Sequence, residues 1–333
     1  MTISGKAMLA GVAGWPVAHS LSPRLHGFWI AEHGLDAAYV PLAVKPEDFP
    51  AALAALPRLG FRGINVTLPH KEVAFRLTTD HDAAALATGA VNTIVFENGK
   101  AVGRNSDAFG FSALLGEHGI ATLESQSVVV LGAGGASRAI VAAVLALGAD
   151  RVVLVNRTVK KAEALAAFFG DRVHGAGWAA LPGVLGSADL LVNTTSLGMT
   201  GETSLKVDLS AVGKQAVVAD IVYRPLETAL LAQAKARGLK AIGGLGMLLH
   251  QGLPGFASWF GVTPKVTPAL RTSVTSFGFT PRFKLVSNFT PRPTSIWKSR
   301  VNSPARKKVR PLNKIPVPSA NLSAVSGLKP AKR

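Results

Sequence analysis

The chain has 333 residues, of which 48% are hydrophobic, so it is long enough and apolar enough for two domains with sizeable cores. It contains no cysteine, which excludes disulfide bonds, a thiol nucleophile and thiolate metal sites. The net charge of +17 is unevenly placed, because residues 271–333 hold 14 of the 36 basic residues and none of the 19 acidic ones, which leaves 22 basic residues and a net charge of +3 in the first 270.

The first third of the chain alternates short apolar runs with segments of helical apolar spacing. The runs 7–13, 38–44 and 63–67 predict strands, and the segments 23–33 and 46–59 predict helices. Strands that alternate with helices are typical of a mostly parallel sheet covered by helices. We therefore expect an N-terminal α/β domain with such a sheet.

A second α/β unit begins near residue 123. The continuous run of β-branched residues at 127–131 is typical of a strand buried on both faces. Further strands are predicted at 151–155, 190–193 and 217–220. Helices are predicted after the glycine-rich turn as far as residue 147, and at 162–169, 228–237 and 242–260. This βαβ series predicts a doubly wound, Rossmann-type domain.

The glycine-rich turn Gly132-Ala133-Gly134-Gly135-Ala136 lies between the first strand and the first helix of that domain. Gly132 allows a tight turn, and Gly134 lets the backbone approach a pyrophosphate that faces the helix N-terminus. Ser137, in the sixth position, is small enough for close packing of helix and strand. A glycine turn without a ligand is the alternative, but the strand before it and the helix after it favour a dinucleotide site.

The residues after the second strand indicate which dinucleotide is bound. An NAD site usually has an acid there, whereas this chain has Asn156-Arg157-Thr158, followed by Lys160 and Lys161. A guanidinium can pair with a 2′-phosphate through two hydrogen bonds. The segment therefore predicts NADP, although the two lysines alone are equally typical of a solvated helix start.

Three polar clusters lie in the N-terminal third, at 65–71, 89–93 and 105–107. Transfer of a hydride from an alcohol requires a group that accepts the hydroxyl proton. The eight histidines have no spacing typical of a metal site, so no metal is expected and Lys71 and Asp107 are the candidate proton-transfer residues. Uncharged partners suited to a polyol are Asn65, Thr67, Asn92 and Asn105. Each residue alone is more often a surface or turn residue, and His70 is expected to be structural or solvated.

From about Met8 to about Leu270 the chain resembles the shikimate dehydrogenase family, NADP-dependent enzymes of aromatic amino-acid and chorismate biosynthesis. The resemblance rests on the polar clusters and glycine-rich turn already described and on three further segments. These are 14–23 (GWPVAHSLSP), 220–225 (DIVYRP) and 244–251 (GLGMLLHQ).

The resemblance implies an NADPH-dependent, reversible reduction of 3-dehydroshikimate to shikimate. It implies a substrate-binding domain, residues 1–111, completed by a helix over 245–271, that faces an NADP domain, residues 112–244, across a cleft. Lys71 would be the proton acceptor and donor, held by Asp107. The implied substrate contacts are Ser20, Ser22, Asn65, Thr67, Asn92, Asp107, Tyr223 and Gln251. The implied cofactor contacts are Gly132 to Ala136, Asn156, Arg157, Thr158, Lys161, Ile221 and Gly244.

Two features depart from the family pattern. Arg104 stands where many relatives have an acid, which would add a cation near the cleft. Residues 272–333 continue past the usual end of the family as a basic tail rich in proline and serine. The tail is interpreted as a disordered basic arm, the product of a shifted reading frame or an appended module, and contact with nucleic acid through it stays an open alternative.

Three alternatives to the main interpretation stay open: a quinate/shikimate dehydrogenase with broader specificity, an NADP-binding regulatory protein without turnover, and a nucleic-acid-associated protein acting through the tail. The N-terminus reads as a core strand rather than a signal peptide, and no apolar run is long enough to span a membrane. We therefore expect a cytoplasmic enzyme that is a monomer or homodimer.

Overall fold

The computed structural model describes residues 3–276 of the chain, which contain two β-sheets, each with helices on both faces. The first sheet contains β1 (Met8–Gly14), β2 (Ala37–Ala43), β3 (Phe61–Val66), β4 (Thr93–Glu97) and β5 (Lys100–Arg104). The second contains β6 (Ser127–Leu131), β7 (Arg151–Asn156), β8 (Val173–Gly177), β9 (Leu190–Asn193), β10 (Val217–Asp220) and β11 (Lys240–Gly243).

The helices of the first domain are α1 (Ser22–Glu32), α2 (Phe49–Ala55), α3 (Lys71–Leu77) and α4 (Ala83–Thr88). Helix α5 (Asp107–Glu117) leads into the second domain, whose helices are α6 (Gly135–Ala146), α7 (Val159–Phe169), α8 (Leu181–Leu185) and α9 (Ala229–Ala236). The chain then returns to the first domain through α10 (Leu245–Phe260) and α11 (Pro268–Thr275). Among the described residues, no helix has both the length and the apolar character needed to cross a membrane.

The first sheet has the strand order β2-β1-β3-β4-β5. Strands β1, β2 and β3 are parallel, β4 is antiparallel to β3, and β5 is antiparallel to β4. Four of its five strands therefore run in the same direction, as predicted. One face packs against α1, α10 and α11 through buried aromatic residues such as Trp29, Phe256 and Trp259. The other face packs against α2 and α3 through Phe49, Leu53 and smaller side chains.

The second sheet is entirely parallel in the order β11-β10-β9-β6-β7-β8, which is the doubly wound Rossmann order. Strand β6 shows why the four residues 128–131 are all apolar. Successive side chains of a strand point to opposite faces, and Val128 and Val130 belong to one hydrophobic cluster while Val129 and Leu131 belong to the other. The two predicted α/β domains are confirmed, and the predicted ranges of β6, β9 and β10 match the structure.

Three elements differ from the prediction. The β4–β5 hairpin was not predicted; it turns at Asn98 and Gly99, which both have positive φ angles (51° and 72°) as a tight hairpin turn requires. Residues 242–243, predicted as the start of a helix, lie in β11. The helix predicted over 245–271 is two helices, α10 and α11, because Gly261 ends α10 in a left-handed conformation.

Residues 272–275, which the sequence analysis placed in the basic tail, lie in α11. Helix α11 continues to Thr275, because Val274 is fully buried beside Leu270. Arg24 of α1 also donates hydrogen bonds to the carbonyl oxygens of Ser273 (2.8 Å) and Ser276 (2.6 Å). The rest of the predicted tail, residues 277–333, lies outside the described residues.

Two truncations test this assignment. We expect a chain ending at Leu270 to melt roughly 5–10 °C below a chain ending at Ser276, because it loses a buried valine, worth about 1.5–3 kcal/mol, and the hydrogen bonds from Arg24. Both chains lack residues 277–333, so differential scanning calorimetry of the pair isolates the effect of residues 271–276. Equal melting temperatures would contradict a role for the last turns of α11 in the core.

Candidate active site

A cavity lies between the two sheets at their carboxyl edges, the usual position of ligand sites in α/β folds. Its walls contain nine of the ten residues for which proton transfer or substrate contact was predicted, the exception being Asn105. These are Ser20, Ser22, Asn65, Thr67, Lys71, Asn92, Asp107, Tyr223 and Gln251. Three of the predicted cofactor residues, Ala136, Ile221 and Gly244, line the same cavity from the side of the second domain.

Lys71 and Asp107 form an ion pair in the cavity wall. The Lys71 Nζ atom lies 2.5 Å from Asp107 Oδ2, and the side chains are 13% and 3% exposed. Lys71 is the first residue of α3 and Asp107 the first of α5, so two helix starts bring them together. A lysine held by a buried carboxylate, with part of its ammonium group open to the cavity, can exchange a proton with a bound hydroxyl or carbonyl oxygen.

Asn92 joins this pair to the opposite wall. Its Nδ2 atom donates to Asp107 Oδ1 (2.8 Å) and to Gln251 Oε1 (3.1 Å), and its Oδ1 atom accepts from the Ser106 backbone N–H (2.9 Å). Gln251 belongs to α10 and lies 159 residues further along the chain than Asn92. The second oxygen of Asp107 is thus oriented by an amide that is itself fixed at both ends.

The side-chain amide of Asn65, which was predicted to contact a polyol, forms hydrogen bonds with protein groups at both ends. Its Oδ1 atom accepts from the Tyr39 hydroxyl (2.6 Å), and its Nδ2 atom donates to the Asn92 carbonyl (3.1 Å). Asn105 does not line the cavity at all; its Nδ2 atom donates to the Ala90 carbonyl (2.9 Å) and its Oδ1 atom accepts from the Asp107 N–H (2.9 Å). The prediction that Asn105 contacts a polyol was wrong, and its amide instead holds the start of α5.

His70 and Arg104 also lie away from the cavity. His70 is buried against Phe49 and its Nε2 atom is 2.8 Å from the Val44 carbonyl, so of the two expected roles, structural or solvated, it has the structural one. Arg104 donates to Ser258 Oγ (3.0 Å) and lies 3.5 Å from Glu97. Arg104, expected to add a cation near the cleft, does not line the cavity, and these contacts hold its guanidinium against α10 and β4.

Two residues of the cavity, His19 and Tyr223, have shifted pKa values. Burial, followed by the nearby Arg224 cation, lowers the pKa of His19, so its ring is neutral at pH 7. Burial raises the pKa of Tyr223, which keeps its hydroxyl protonated and able to donate. His19 and Arg224 were not predicted as site residues, although both lie inside segments that carried the family resemblance.

The glycine-rich turn begins where β6 ends. Gly132 has a φ of +112°, and a Cβ atom there would collide with Thr194 Oγ1, so glycine is required by backbone and packing. Gly134 is different, because its backbone is extended and a Cβ atom would meet no atom of residues 3–276 within 4 Å. No contact in this described part of the chain requires glycine at position 134, and the open space suits a ligand that approaches the backbone there. The Gly134 N–H also bonds Ser137 Oγ (3.1 Å) at the start of α6.

The predicted 2′-phosphate residues lie on the same edge of the sheet, at the end of β7. The Asn156 side chain donates to the Thr158 carbonyl (2.9 Å), and Arg157, Lys160 and Lys161 are exposed around the N-terminus of α7. A helix N-terminus with adjacent cations favours a phosphate group. The residues present therefore fit a dinucleotide with an additional phosphate.

The segment Thr194-Thr195-Ser196 also lines the cavity and was not predicted. It follows β9, which lies beside β6 at the point where the strand order reverses. Thr194 Oγ1 is 2.7 Å from Ser137 Oγ and donates to the Leu131 carbonyl (2.6 Å), which ties it to the glycine-rich turn. The sequence signal that could have identified this segment is a run of polar residues directly after a buried strand.

Asp220 supports the segment that carries Ile221 and Tyr223. It is 1% exposed, and it accepts hydrogen bonds from Asn193 (3.0 Å), the Val222 N–H (3.0 Å) and Thr228 (2.7 Å). Burial nevertheless raises the pKa of its carboxyl to about 6, outweighing the three hydrogen bonds.

This shift predicts a pH-dependent stability. A carboxyl whose folded-state pKa is about 6 and whose unfolded value is 3.8 stabilises the fold below pH 3.8, and that contribution is lost as the pH rises through 6. The natural chain loses this contribution as the pH rises, and Asp220→Asn does not. The unfolding free energy of Asp220→Asn minus that of the natural chain should therefore increase by about 2–3 kcal/mol from pH 4 to pH 8. Urea denaturation across this range measures the difference.

The control for this measurement is Asp208→Asn. Hydrogen bonds from Ser210 lower the pKa of the exposed Asp208 carboxyl, so its contribution changes as the pH falls below 3.8 and not between pH 4 and pH 8. Parallel pH profiles for the natural chain and Asp220→Asn would show that Asp220 stays ionised in the folded protein.

Two family profiles match the chain. "Shikimate dehydrogenase substrate binding domain" matches residues 12–94, and "Shikimate / quinate 5-dehydrogenase" matches residues 115–222. A protein of Rhodospirillum rubrum named shikimate dehydrogenase (NADP(+)) is 53% identical over 285 residues, which cover 82% of this chain and 98% of that protein.

Solved structures show the same similarity. The shikimate dehydrogenase of Aquifex aeolicus superposes with a TM-score of 0.75 at 39% identity, over 83% of this chain and all of that one. The enzyme of Thermus thermophilus, in complex with NADP(H) and shikimate, superposes with a TM-score of 0.72 at 37% identity, over 80% of this chain and 98% of that one.

Proposed function

The chain belongs to the shikimate dehydrogenase family, and on that premise we propose that it catalyses the NADPH-dependent, reversible reduction of 3-dehydroshikimate to shikimate. The observation that carries this proposal is the Lys71–Asp107 pair, 2.5 Å apart, in the wall of a cavity that also reaches Ala136 of the glycine-rich turn. A proton donor beside a dinucleotide-binding turn is the arrangement that reduction of a ring carbonyl requires.

The cavity residues divide into three roles in this proposal. Lys71 gives its proton to the carbonyl oxygen of 3-dehydroshikimate, and takes the hydroxyl proton of shikimate in the reverse direction. Asp107 holds the ammonium group and, with Asn92, accepts from or donates to a neighbouring ring hydroxyl. The remaining substrate contacts are Ser20, Ser22 and Tyr223 at the carboxylate, and Asn65, Thr67 and Gln251 at the ring hydroxyls.

The cofactor is held by the second domain. Gly132 to Ala136 and the N-terminus of α6 bind the pyrophosphate, and Asn156, Arg157, Thr158 and Lys161 bind the 2′-phosphate and its ribose. Ile221 and Gly244 line the cavity where the nicotinamide ring would lie. When bound, NADPH supplies the hydride for the ring carbonyl carbon.

We propose the same division of the chain that the sequence predicted, with residues 1–111 and 245–271 as the substrate domain and 112–244 as the NADP domain. Helix α5 crosses the first boundary and α10 begins at the second, so these two helices connect the domains. We further propose that the enzyme acts in the cytoplasm as a monomer or homodimer. Light scattering after size-exclusion chromatography distinguishes the two states.

The second candidate function is a quinate/shikimate dehydrogenase, because the profile that matches residues 115–222 covers both activities. Quinate has one ring hydroxyl more than shikimate, so the cavity would have to admit that group. The rates with the two substrates decide between the functions.

The experiment records absorbance at the nicotinamide band while the purified full-length protein oxidises shikimate or quinate, each with NADP and with NAD. Turnover with shikimate and NADP, and little with the other three combinations, is the expected result. Comparable turnover of quinate would establish the second candidate. Binding of NADP without turnover of either substrate would overturn both and favour a regulatory protein.

A further inference from the structure

Arg138 reaches from the NADP domain to the substrate domain. It lies in the first turn of α6, two residues after the end of the glycine-rich turn, but its side chain extends across the interface. The guanidinium donates to the Thr88 carbonyl (3.2 Å), its Nε atom lies 3.8 Å from Glu72 Oε1, and it stacks 5.2 Å from the ring centre of Phe168. The side chain is 22% exposed, so most of it is enclosed by these contacts.

The contacts of Arg138 in the substrate domain lie next to the proton-transfer pair. Glu72 follows Lys71 in α3, so the ion pair with Glu72 acts on the turn that carries the lysine. Thr88 is fully buried, and its hydroxyl accepts from Asn105 Nδ2 (3.1 Å). Asn105 in turn accepts a hydrogen bond from the N–H of Asp107. The Arg138 guanidinium is therefore linked to Lys71 through Glu72, and to Asp107 through Thr88 and Asn105.

The glycine-rich turn itself lies close to Lys71. A Cβ atom built on Gly135 would be 3.4 Å from the Cβ atom of Lys71, an ordinary van der Waals distance. The interface near Arg138 therefore determines how closely the dinucleotide-binding turn and the proton donor approach each other. The ion pair alone would be weak, since Glu72 is 47% exposed. The hydrogen bond to a buried carbonyl and the stacking on Phe168 fix the guanidinium in one position.

We propose that Arg138 is a positioning residue whose contacts with Glu72 and Thr88 form a clasp between the two domains. This clasp sets the distance between the bound cofactor and the Lys71–Asp107 pair. This proposal rests on the proposed function, because the reaction it positions is the hydride and proton transfer described above. Arg138 acts through Glu72 and Thr88 and does not itself touch the substrate. Misplacement of reacting groups by about 1 Å can lower a rate by up to about 10²-fold, so a clasp of this kind has a measurable effect on turnover.

The test uses Arg138→Met in the full-length protein, since methionine retains apolar contact with Phe168 but removes the charge and the donors. Expected results are a kcat lowered by about tenfold, a dissociation constant for NADPH without shikimate within twofold of the natural value, and a larger primary deuterium isotope effect with shikimate deuterated at the oxidised carbon. Arg151→Met is the matched control, because Arg151 is exposed at the amino end of β7, and its kinetics should be unchanged.

Either of two results would overturn the proposal. An unchanged kcat and isotope effect in Arg138→Met would show that the clasp does not position the reaction. A dissociation constant for NADPH raised tenfold or more in the absence of shikimate would make Arg138 a cofactor ligand instead.

A milder variant keeps the test valid if Arg138→Met folds poorly. Glu72→Gln removes only the ion pair, so on its own it should lower kcat by a smaller factor and leave the dissociation constant for NADPH unchanged. Where Arg138→Met does fold, the effect of Glu72→Gln should disappear in that background. Additive effects would contradict a contact that acts through Glu72. Failure of the proposed function is recognised separately, because the natural chain would then lack shikimate turnover. Hydrogen exchange in residues 72–90, expected to be faster in Arg138→Met, would still report on the clasp.

Discussion

Replacement of Lys71 by alanine is expected to lower kcat for shikimate oxidation by about 10³-fold, while the KM for shikimate changes less than threefold. The variant loses the group that accepts the hydroxyl proton, whereas the carboxylate and hydroxyl contacts that bind the substrate remain. Asp107 also loses its ion partner, but Asn92 still donates to it at 2.8 Å. Steady-state kinetics at the nicotinamide band measure both parameters.

The matched control for this variant is Lys100→Ala. Lys100 is also paired with an aspartate, Asp80, at 2.9 Å, but both side chains are more than half exposed and lie outside the cavity. Its removal should change kcat by less than twofold. If kcat in Lys71→Ala fell no further than KM rose, Lys71 would mainly bind the substrate, and proton transfer would have to be assigned to another cavity group.

The sequence predicted the second domain better than the first for a physical reason. A parallel sheet buried on both faces favours apolar side chains along each strand, so β6, β9 and β10 each contain a continuous apolar run bounded at one end by a polar residue, Ser127, Asn193 or Asp220. Strands β4 and β5 instead form an edge hairpin in which several residues are half-exposed or polar. The Asn98-Gly99 pair was the signal that would have identified this hairpin.

The candidate site was predicted where it lies on single segments and missed where it depends on strand order. Lys71, Asp107 and Asn92 belong to recognisable motifs, and the structure brings them together. Thr194 follows a buried strand, which is a local signal in the sequence. Its position in the cavity, however, depends on β9 lying beside β6, and a local pattern does not predict which strands are neighbours. Asn105 shows the opposite error, since an asparagine that binds a ligand and one that supports a helix start have the same sequence signature.

Replacement of Arg157 by alanine is expected to weaken NADPH binding by about 50-fold and NADH binding by less than twofold. Arg157 is exposed at the end of β7, where its guanidinium can pair with a 2′-phosphate that NADH lacks. Hydrogen bonds between charged groups contribute about 1.5–3 kcal/mol each, which corresponds to losses of about 10- to 150-fold. Titration of the intrinsic nicotinamide fluorescence with each cofactor gives both dissociation constants.

Lys160 and Lys161 allow the same titration to separate a specific phosphate contact from a general basic surface. Both are exposed in the first turn of α7, and only Lys161 is proposed to bind the phosphate. Lys161→Ala should therefore weaken NADPH several-fold, and Lys160→Ala should leave both cofactors unchanged at 0.15 M salt, where exposed charges are largely screened beyond about 8 Å. If all three variants weakened NADPH equally, the positive potential at the helix N-terminus, rather than a bidentate guanidinium contact, would select the cofactor. If Arg157→Ala weakened the binding of NADPH and NADH alike, Arg157 would contact a part that both cofactors share. Selection of NADP would then have to come from other cofactor-binding residues.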